Sequence, residues 1–210
     1  MRSATDRRPA QRSDLRREAI LDALDRWLQQ SSVETVNIAE VAQQAGVTRS
    51  AFYFYFENKA AAVAALTERI LDETIAVNQA LTSASGSPRA RVHKMLAGLF
   101  GLCERHRHLF QAMLEVRGSS PAVRSIWDDA RESFVDSIAE LIRTERSAGV
   151  APPGVDARVL ATVLLEFNDR MLERLTLGGP LAADELRHGA AAVWLSSVYG
   201  ITDPEERPAT

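Results

Sequence analysis

The chain has 210 residues, 46% hydrophobic and 25% charged, with 6% aromatic side chains and a formal charge of −3. Those proportions exclude a wholly disordered protein, a collagen and a disulfide-stapled miniature, and leave one large domain or two small ones. The apolar content is carried by Ala, Leu and Val, so a mostly helical, all-α protein is expected.

Charge is uneven. Residues 1–59 hold nine cations and eight acids, whereas residues 60–210 hold sixteen cations and twenty acids. Within residues 1–17, six Arg face Asp6 and Asp14. A basic arm on an acidic body fits either a polyanion partner at one end or a solvated tail. Cys103 is the single cysteine, so no intrachain disulfide can form and a reducing, cytoplasmic setting is expected. No apolar run follows the Arg-rich start, and no stretch approaches the ~18 apolar residues of a membrane helix, so no membrane partner is expected.

In chain order, residues 1–13 lack a hydrophobic period and read as a flexible arm. Ile20, Leu21, Leu24, Trp27 and Leu28 recur at helical spacing and predict a helix near 14–30. Asn37, with Glu40 three residues on, resembles a capping box and starts a second helix. Gly46 suits the left-handed position that ends it. Thr48 caps a third helix to about Phe54, and Asn58 a fourth to about Leu81. After the loop from Ser83 to Pro88, helices follow near 89–104 and 106–117. Ser120 and Pro121 open another, to about Ser147. Two more span 156–177 and 182–199, and 201–210 form a polar tail. No segment alternates with period two, so about nine helices and no strands are expected.

Residues 35–47 join two short helices through a Gly-containing turn, the layout of a helix-turn-helix. Val41 and Val47 suit packing of the two helices, and Ala42 and Ala45 are small where they approach. The next stretch, Thr48 to Lys59, concentrates hydroxyls, a guanidinium, two phenols and an ammonium around five consecutive aromatics, Phe52 to Phe56. Five aromatics cannot all be core on two helical turns. Phe52 and Phe56, four apart, read as core anchors, and some of the rest serve a partner. Phenols and Lys suit phosphate oxygens, and Arg a guanine edge.

Residues 35–66, with A-G-V-T at 45–48, F-Y-F-Y-F at 52–56 and N-K at 58–59, resemble the TetR family of one-component bacterial regulators. RTERSAGV at 143–150, F-N-D-R at 167–170 and VWLSSVYG at 193–200 are similar to one branch, the repressor controlling ethionamide activation in mycobacteria. The resemblance implies a helix-turn-helix DNA-binding domain over 14–60 and a ligand-binding and dimerisation domain over 61–200. It implies a repressor that binds a palindromic operator in double-stranded DNA as a homodimer and is released by a small hydrophobic ligand. Thr48, Tyr53, Tyr55 and Lys59 would contact phosphates, Arg49 and Ser50 would read bases, and Thr35 and Asn37 would add backbone contacts. Arg7, Arg8 and Arg12 reach a neighbouring groove or have no role.

Within 89–200 a helical bundle around an inducer is expected. Trp127 and Phe134, seven apart, share a face. Asn168 shares one with Leu164, Met171 and Leu175, an amide whose partner is a ligand, another helix or water. In the branch resembled, the matching Asn lies in the ligand channel. Phe100, Phe110, Met113 and Trp194 join Trp127 and Phe134 as core or lining. The last helix is apolar or small almost all round, so a second subunit is expected to cover it. With the 156–177 helix it would form a two-fold four-helix bundle between subunits.

Two other readings compete. An enzyme would need more than the isolated Glu185–His188 pair, the divergent His106 and His108, or Cys103 beside Arg105 and Arg107. No phosphate-binding loop, nucleophile elbow or zinc spacing occurs, so no catalytic residue, cofactor or metal is expected. A helical adaptor that binds no DNA fits the pI near 5.9 but not the aromatic, basic front segment.

Overall fold

The computed structural model describes residues 12–83 and 86–202. The expected arm, with Arg7 and Arg8, lies outside the described residues up to Arg12, as does the expected tail from residue 203. Among the described residues the chain forms nine helices and no strand. They are α1 (Arg12–Leu28), α2 (Ile38–Gln44), α3 (Arg49–Tyr55), α4 (Lys59–Ser83), α5 (Pro88–Arg105), α6 (Arg107–Arg117), α7 (Pro121–Ser147), α8 (Ala157–Leu177) and α9 (Ala183–Tyr199).

Local chemistry sets the ends of the short front helices. Asn37 Oδ1 accepts the Ala39 N–H at 3.0 Å, and its Nδ2 donates to Glu40 at 2.9 Å. Glu40 therefore steadies the capping side chain, where a capping box would reach the cap's own backbone N–H. After α2, Gly46 sits at φ +67°, the Val47 N–H returns to Ala42 O at 2.9 Å, and the Gly46 N–H to Gln43 O at 3.1 Å. That pair of bonds is a Schellman closure, and the left-handed residue it requires is glycine. Thr48 caps α3 through Ala51 N, and Asn58 caps α4 through Ala61 N. These caps satisfy N–H groups that short helices would otherwise leave open.

The front unit closes on Ile20, Leu21 and Leu24 of α1, Val41 of α2, Phe52 of α3, Phe56, and Val63 and Leu66 of α4, all buried. The Phe52 and Phe56 rings lie 5.7 Å apart. From there α4 continues without a break for 25 residues, about 37 Å at the rise of an α-helix. Its far part packs against α5, α6 and α7. Gly98 of α5 permits this approach, since a Cβ there would stand 3.1 Å from Val77 Cγ1 of α4. Behind it α7 packs along α8, and α9 covers α5 and α8.

Three further ties join front and rear. Arg69 of α4 pairs with Glu18 and Asp22 of α1. His108 of α6 meets Asp25 of α1 at 2.9 Å. Glu115 of α6 accepts the Val33 N–H at 2.9 Å. The last two set α6 against the α1–α2 corner.

Candidate nucleic-acid interface and interior cavity

Thr35, Asn37, Thr48, Arg49, Ser50 and Tyr53 are all exposed, the first five at or near the N-termini of α2 and α3 and Tyr53 one turn into α3. Tyr55 and Lys59 are half-buried. Helix starts suit phosphate, and at these two the Ala39 and Ala51 N–H groups are already taken by the Asn37 and Thr48 side chains. Arg49 lies over the Tyr53 ring, 5.7 Å from its centroid, which holds the guanidinium along the helix. Phe54 is 80% exposed, the most open large apolar side chain among the described residues.

Several of these groups already have partners. The Thr35 hydroxyl donates to Ser32 O at 3.0 Å, and both ends of the Asn37 amide are engaged at the α2 cap. Lys59 Nζ donates to Glu34 O at 2.9 Å and Val33 O at 3.3 Å. The ammonium thus fastens the start of α4 to the loop before α2, with one of its three N–H groups left over. The expected cores of the segment, Phe52 and Phe56, are 0% and 4% exposed.

The rear bundle holds a partly open cavity of about 90 Å³. Thr67, Ile70, Leu71 and Thr74 of α4 form one wall. Leu99, Phe110 and Met113 come from α5 and α6; Ile126, Trp127, Ala130, Arg131 and Phe134 from α7; Leu165, Asn168, Asp169 and Leu172 from α8. Of the expected lining, the cavity brings together Phe110, Met113, Trp127, Phe134 and Asn168. It does not take in Phe100, Leu164, Met171 or Trp194. Phe100, Leu164 and Trp194 are spent in the core at 3%, 2% and 2% exposure, and Met171 packs at its edge.

Trp194 bears on the site through Asn168. Its indole N–H donates to Asn168 Oδ1 at 3.0 Å. Because the indole can only donate, the amide oxygen must face it, and the Asn168 NH₂ is turned away with no partner among the described residues. On the same wall Asp169 accepts from Trp127 Nε1 at 3.0 Å and Arg131 Nε at 2.8 Å. Burial pushes the Asp169 carboxyl above its usual range, against the opposing pull of Arg131 and of the Trp127 hydrogen bond. The remainder of the lining is apolar, and the hydroxyls of Thr67 and Thr74 are turned to their own helix carbonyls.

The sequence expectation lacked the α4 wall and the Arg131–Asp169 pair. Thr67, Ile70, Leu71 and Thr74 fall at helical spacing on one face, a signal indistinguishable from ordinary core. Cys103 is buried against Thr176, and burial raises its thiol pKa. His106 and His108 turn to different carboxylates, Glu73 and Asp25. Among the described residues no cluster of three or more His, Cys, Asp or Glu side chains could hold a metal, and no helix is long and apolar enough to cross a membrane.

On the outside of α8 and α9, Val159, Val163 and Val193 are exposed beside Gly189 and Ser196. The opposite face of α9, with Trp194 and Val198, points into the same chain's core. A helix covered on both sides was expected; within one chain α9 is covered on one.

Residues 20–66 match the family described as "Bacterial regulatory proteins, tetR family", and residues 92–200 match "Transcriptional regulator EthR, C-terminal domain". The HTH-type transcriptional regulator EthR of Mycolicibacterium smegmatis is 29% identical over 203 residues, covering 95% of this chain and 94% of that protein. Two solved structures share the fold. A putative transcriptional regulator from Saccharomonospora viridis, in complex with choline, superimposes with a TM-score of 0.69 at 20% identity, over 84% of this chain and 94% of that one. The regulator FadR from Bacillus subtilis, in complex with stearoyl-CoA, gives 0.68 at 16% identity, over 87% and 99%.

Proposed function

We propose, from the premise that this chain belongs to the TetR family of bacterial regulatory proteins and carries the C-terminal domain of the EthR regulators, that it is a homodimeric repressor. It holds a palindromic operator through α3 and its surroundings, and a small, mainly apolar ligand releases it. The observation that carries this reading is the double use of α4. Its first turn is fastened by Lys59 to the loop before α2, and two to four turns later Thr67, Ile70, Leu71 and Thr74 wall the cavity. Whatever enlarges the cavity displaces the rod that carries the front unit.

The cavity's size supports a ligand that opens it. About 90 Å³ is well below the roughly 300 Å³ at which sites for drug-sized molecules begin. A larger guest therefore spreads α4, α7 and α8. In a dimer that spreading alters the gap between two α3 helices, which one turn of B-DNA fixes at roughly 34–36 Å. The ligand needs only to favour the spread state over the DNA-bound one. Asn168 is its polar anchor, offering the free NH₂ to a ligand acceptor inside an apolar lining. The exposed Val159, Val163 and Val193 stripe, flanked by small Gly189 and Ser196, is the face a second subunit covers by a four-helix bundle of α8 and α9 pairs.

The test is selection of bound fragments from the source genome, followed by gel shifts on the enriched sequence across salt concentrations. The expected result is a palindrome. Lys59→Ala should lower the salt slope by about one per half-site without changing sequence preference, whereas Arg49→Ala should relax preference at one base pair. Absence of any enriched fragment at low salt contradicts the reading. A Lys59→Ala protein with intact salt slope and altered preference removes the phosphate assignment.

A further inference from the structure

Phe54 is the side chain of α3 that neither the core nor the polar contacts account for. At 100° per residue, Ser50 and Phe54 stand on the side of α3 opposite the buried Phe52, with Arg49 and Tyr53 along one flank. The ring is 80% exposed, and it is not loose: its centroid lies 5.1 Å from that of Tyr55 at 89°, an edge-on contact that props it outward. A lone exposed apolar residue is ordinary on a protein surface. Here its place is what matters, since Ser50 and Phe54 share the face of the second helix turned away from its own core, the face open to a major groove.

A phenyl ring carries no donor or acceptor, so it cannot read the hydrogen-bonding edges of a base pair. The apolar group a major groove presents is the C5 methyl of thymine. We infer that Phe54 is a specificity-determining residue that packs on a thymine methyl in each half-site, so that base reading is shared between the polar Arg49 and Ser50 and this apolar contact. The inference rests on the DNA-binding reading above and goes beyond it in assigning a residue and the chemical group it recognises.

The test uses the full-length protein and the operator recovered by genomic selection, with each thymine replaced in turn by deoxyuridine, which lacks only the methyl. For the unaltered protein, one thymine per half-site should matter, its replacement weakening binding about fourfold per half-site, the worth of one buried methyl. Phe54→Ala should bind thymine and deoxyuridine operators equally, near the affinity of the unaltered protein for the deoxyuridine form. Phe54→Leu should keep part of the discrimination. Because Phe54 is exposed, circular dichroism and melting temperature of both variants should match the parent, which separates lost reading from lost folding. If the protein binds the operator but the deoxyuridine penalty is the same with and without the ring, Phe54 does not read a methyl and the DNA-binding reading stands. If the unaltered protein binds no fragment, both fall.

Discussion

The front unit and the rear bundle share capped helices and tightly buried cores, and differ in the void that α4, α7 and α8 leave in the rear. In the front, α2, α3 and the long α4 start at the side-chain caps Asn37, Thr48 and Asn58, and the core has Ile20, Leu21, Val41 and Phe52 wholly out of water. In the rear, long helices leave a cavity of about 90 Å³, and a buried pair, Arg91 with Glu145, is satisfied on one side only. Among the described residues, Arg91 Nε, Glu145 Oε2, Arg146 Nε and the Tyr199 hydroxyl of the rear have no hydrogen-bond partner, and Trp27 Nε1 of α1 is the one such buried atom in the front. A surface that must match a fixed groove gains from a single rigid arrangement, while a compartment that must change shape needs void and imperfect packing. The two regions therefore differ in what substitutions they tolerate.

The largest effect is expected at the front. Phe52→Ala should cost about 3–5 kcal/mol, because a fully buried ring leaves a hole that its tight neighbours cannot fill. Phe134→Ala, at the edge of an existing void, should cost clearly less. Calorimetry of both variants settles the order, and equal losses would erase the contrast between rigid and yielding halves. Val163→Asp should next produce monomers by light scattering with helical content intact, since the side chain is 58% exposed in one chain and dry in the proposed dimer. A dimer that survives this change places the interface elsewhere. Trp194 and Val198 are unsuitable for that test, because they fill the chain's own core.

A smaller effect follows at the cavity. Asn168→Ala leaves the Trp194 N–H without its acceptor and should cost about 1–3 kcal/mol of stability. Operator affinity without ligand should stay near that of the parent while the response to inducer falls. Loss of operator binding in the absence of ligand would make Asn168 structural alone.

The smallest is a pH dependence at Asp169. Its folded carboxyl holds the proton more tightly than in the unfolded chain, so the native state binds more protons between the ordinary carboxyl value and the raised one. In that window its contribution to stability falls as pH rises. Asp169→Asn removes this slope, and the variant should gain on the parent as pH goes from acid to neutral. A gap between the two that is flat with pH, or that widens in the opposite sense, contradicts the burial argument.

Which parts were legible in the sequence follows the same division. Asn37, Thr48, Asn58 and Gly46 act on groups one to five residues away, so their types and spacings disclosed the front helices and their ends. The interior depends on distant partners. Nothing near Lys59 announces that its ammonium is spent on carbonyls of residues 33 and 34, and nothing near Asn168 names Trp194, 26 residues on. Trp127 and Phe134 could be placed on one face of α7, but whether a face meets a void or a neighbour is decided by the other helices. For the same reason the sequence left Phe100 as core or lining and Leu164 on the Asn168 face, and both lie in the core. The α4 wall went unread because a helix that joins two units and a helix that lines a site share one apolar period.

In the proposed mechanism, filling the cavity moves the front units of a dimer apart or together through α4. It can be tested without an identified ligand by Ala130→Trp, which puts an indole into a space of about 90 Å³ and overfills it. Nitroxide labels on Glu57→Cys, exposed just beyond α3, report the distance between the two front units, and Cys103, buried, stays unlabelled. Pulsed electron paramagnetic resonance should give a single distance for the parent bound to operator, and a displaced one, with operator affinity lost, for the tryptophan variant. An unchanged distance together with full operator affinity in a folded, dimeric Ala130→Trp protein would contradict the claim.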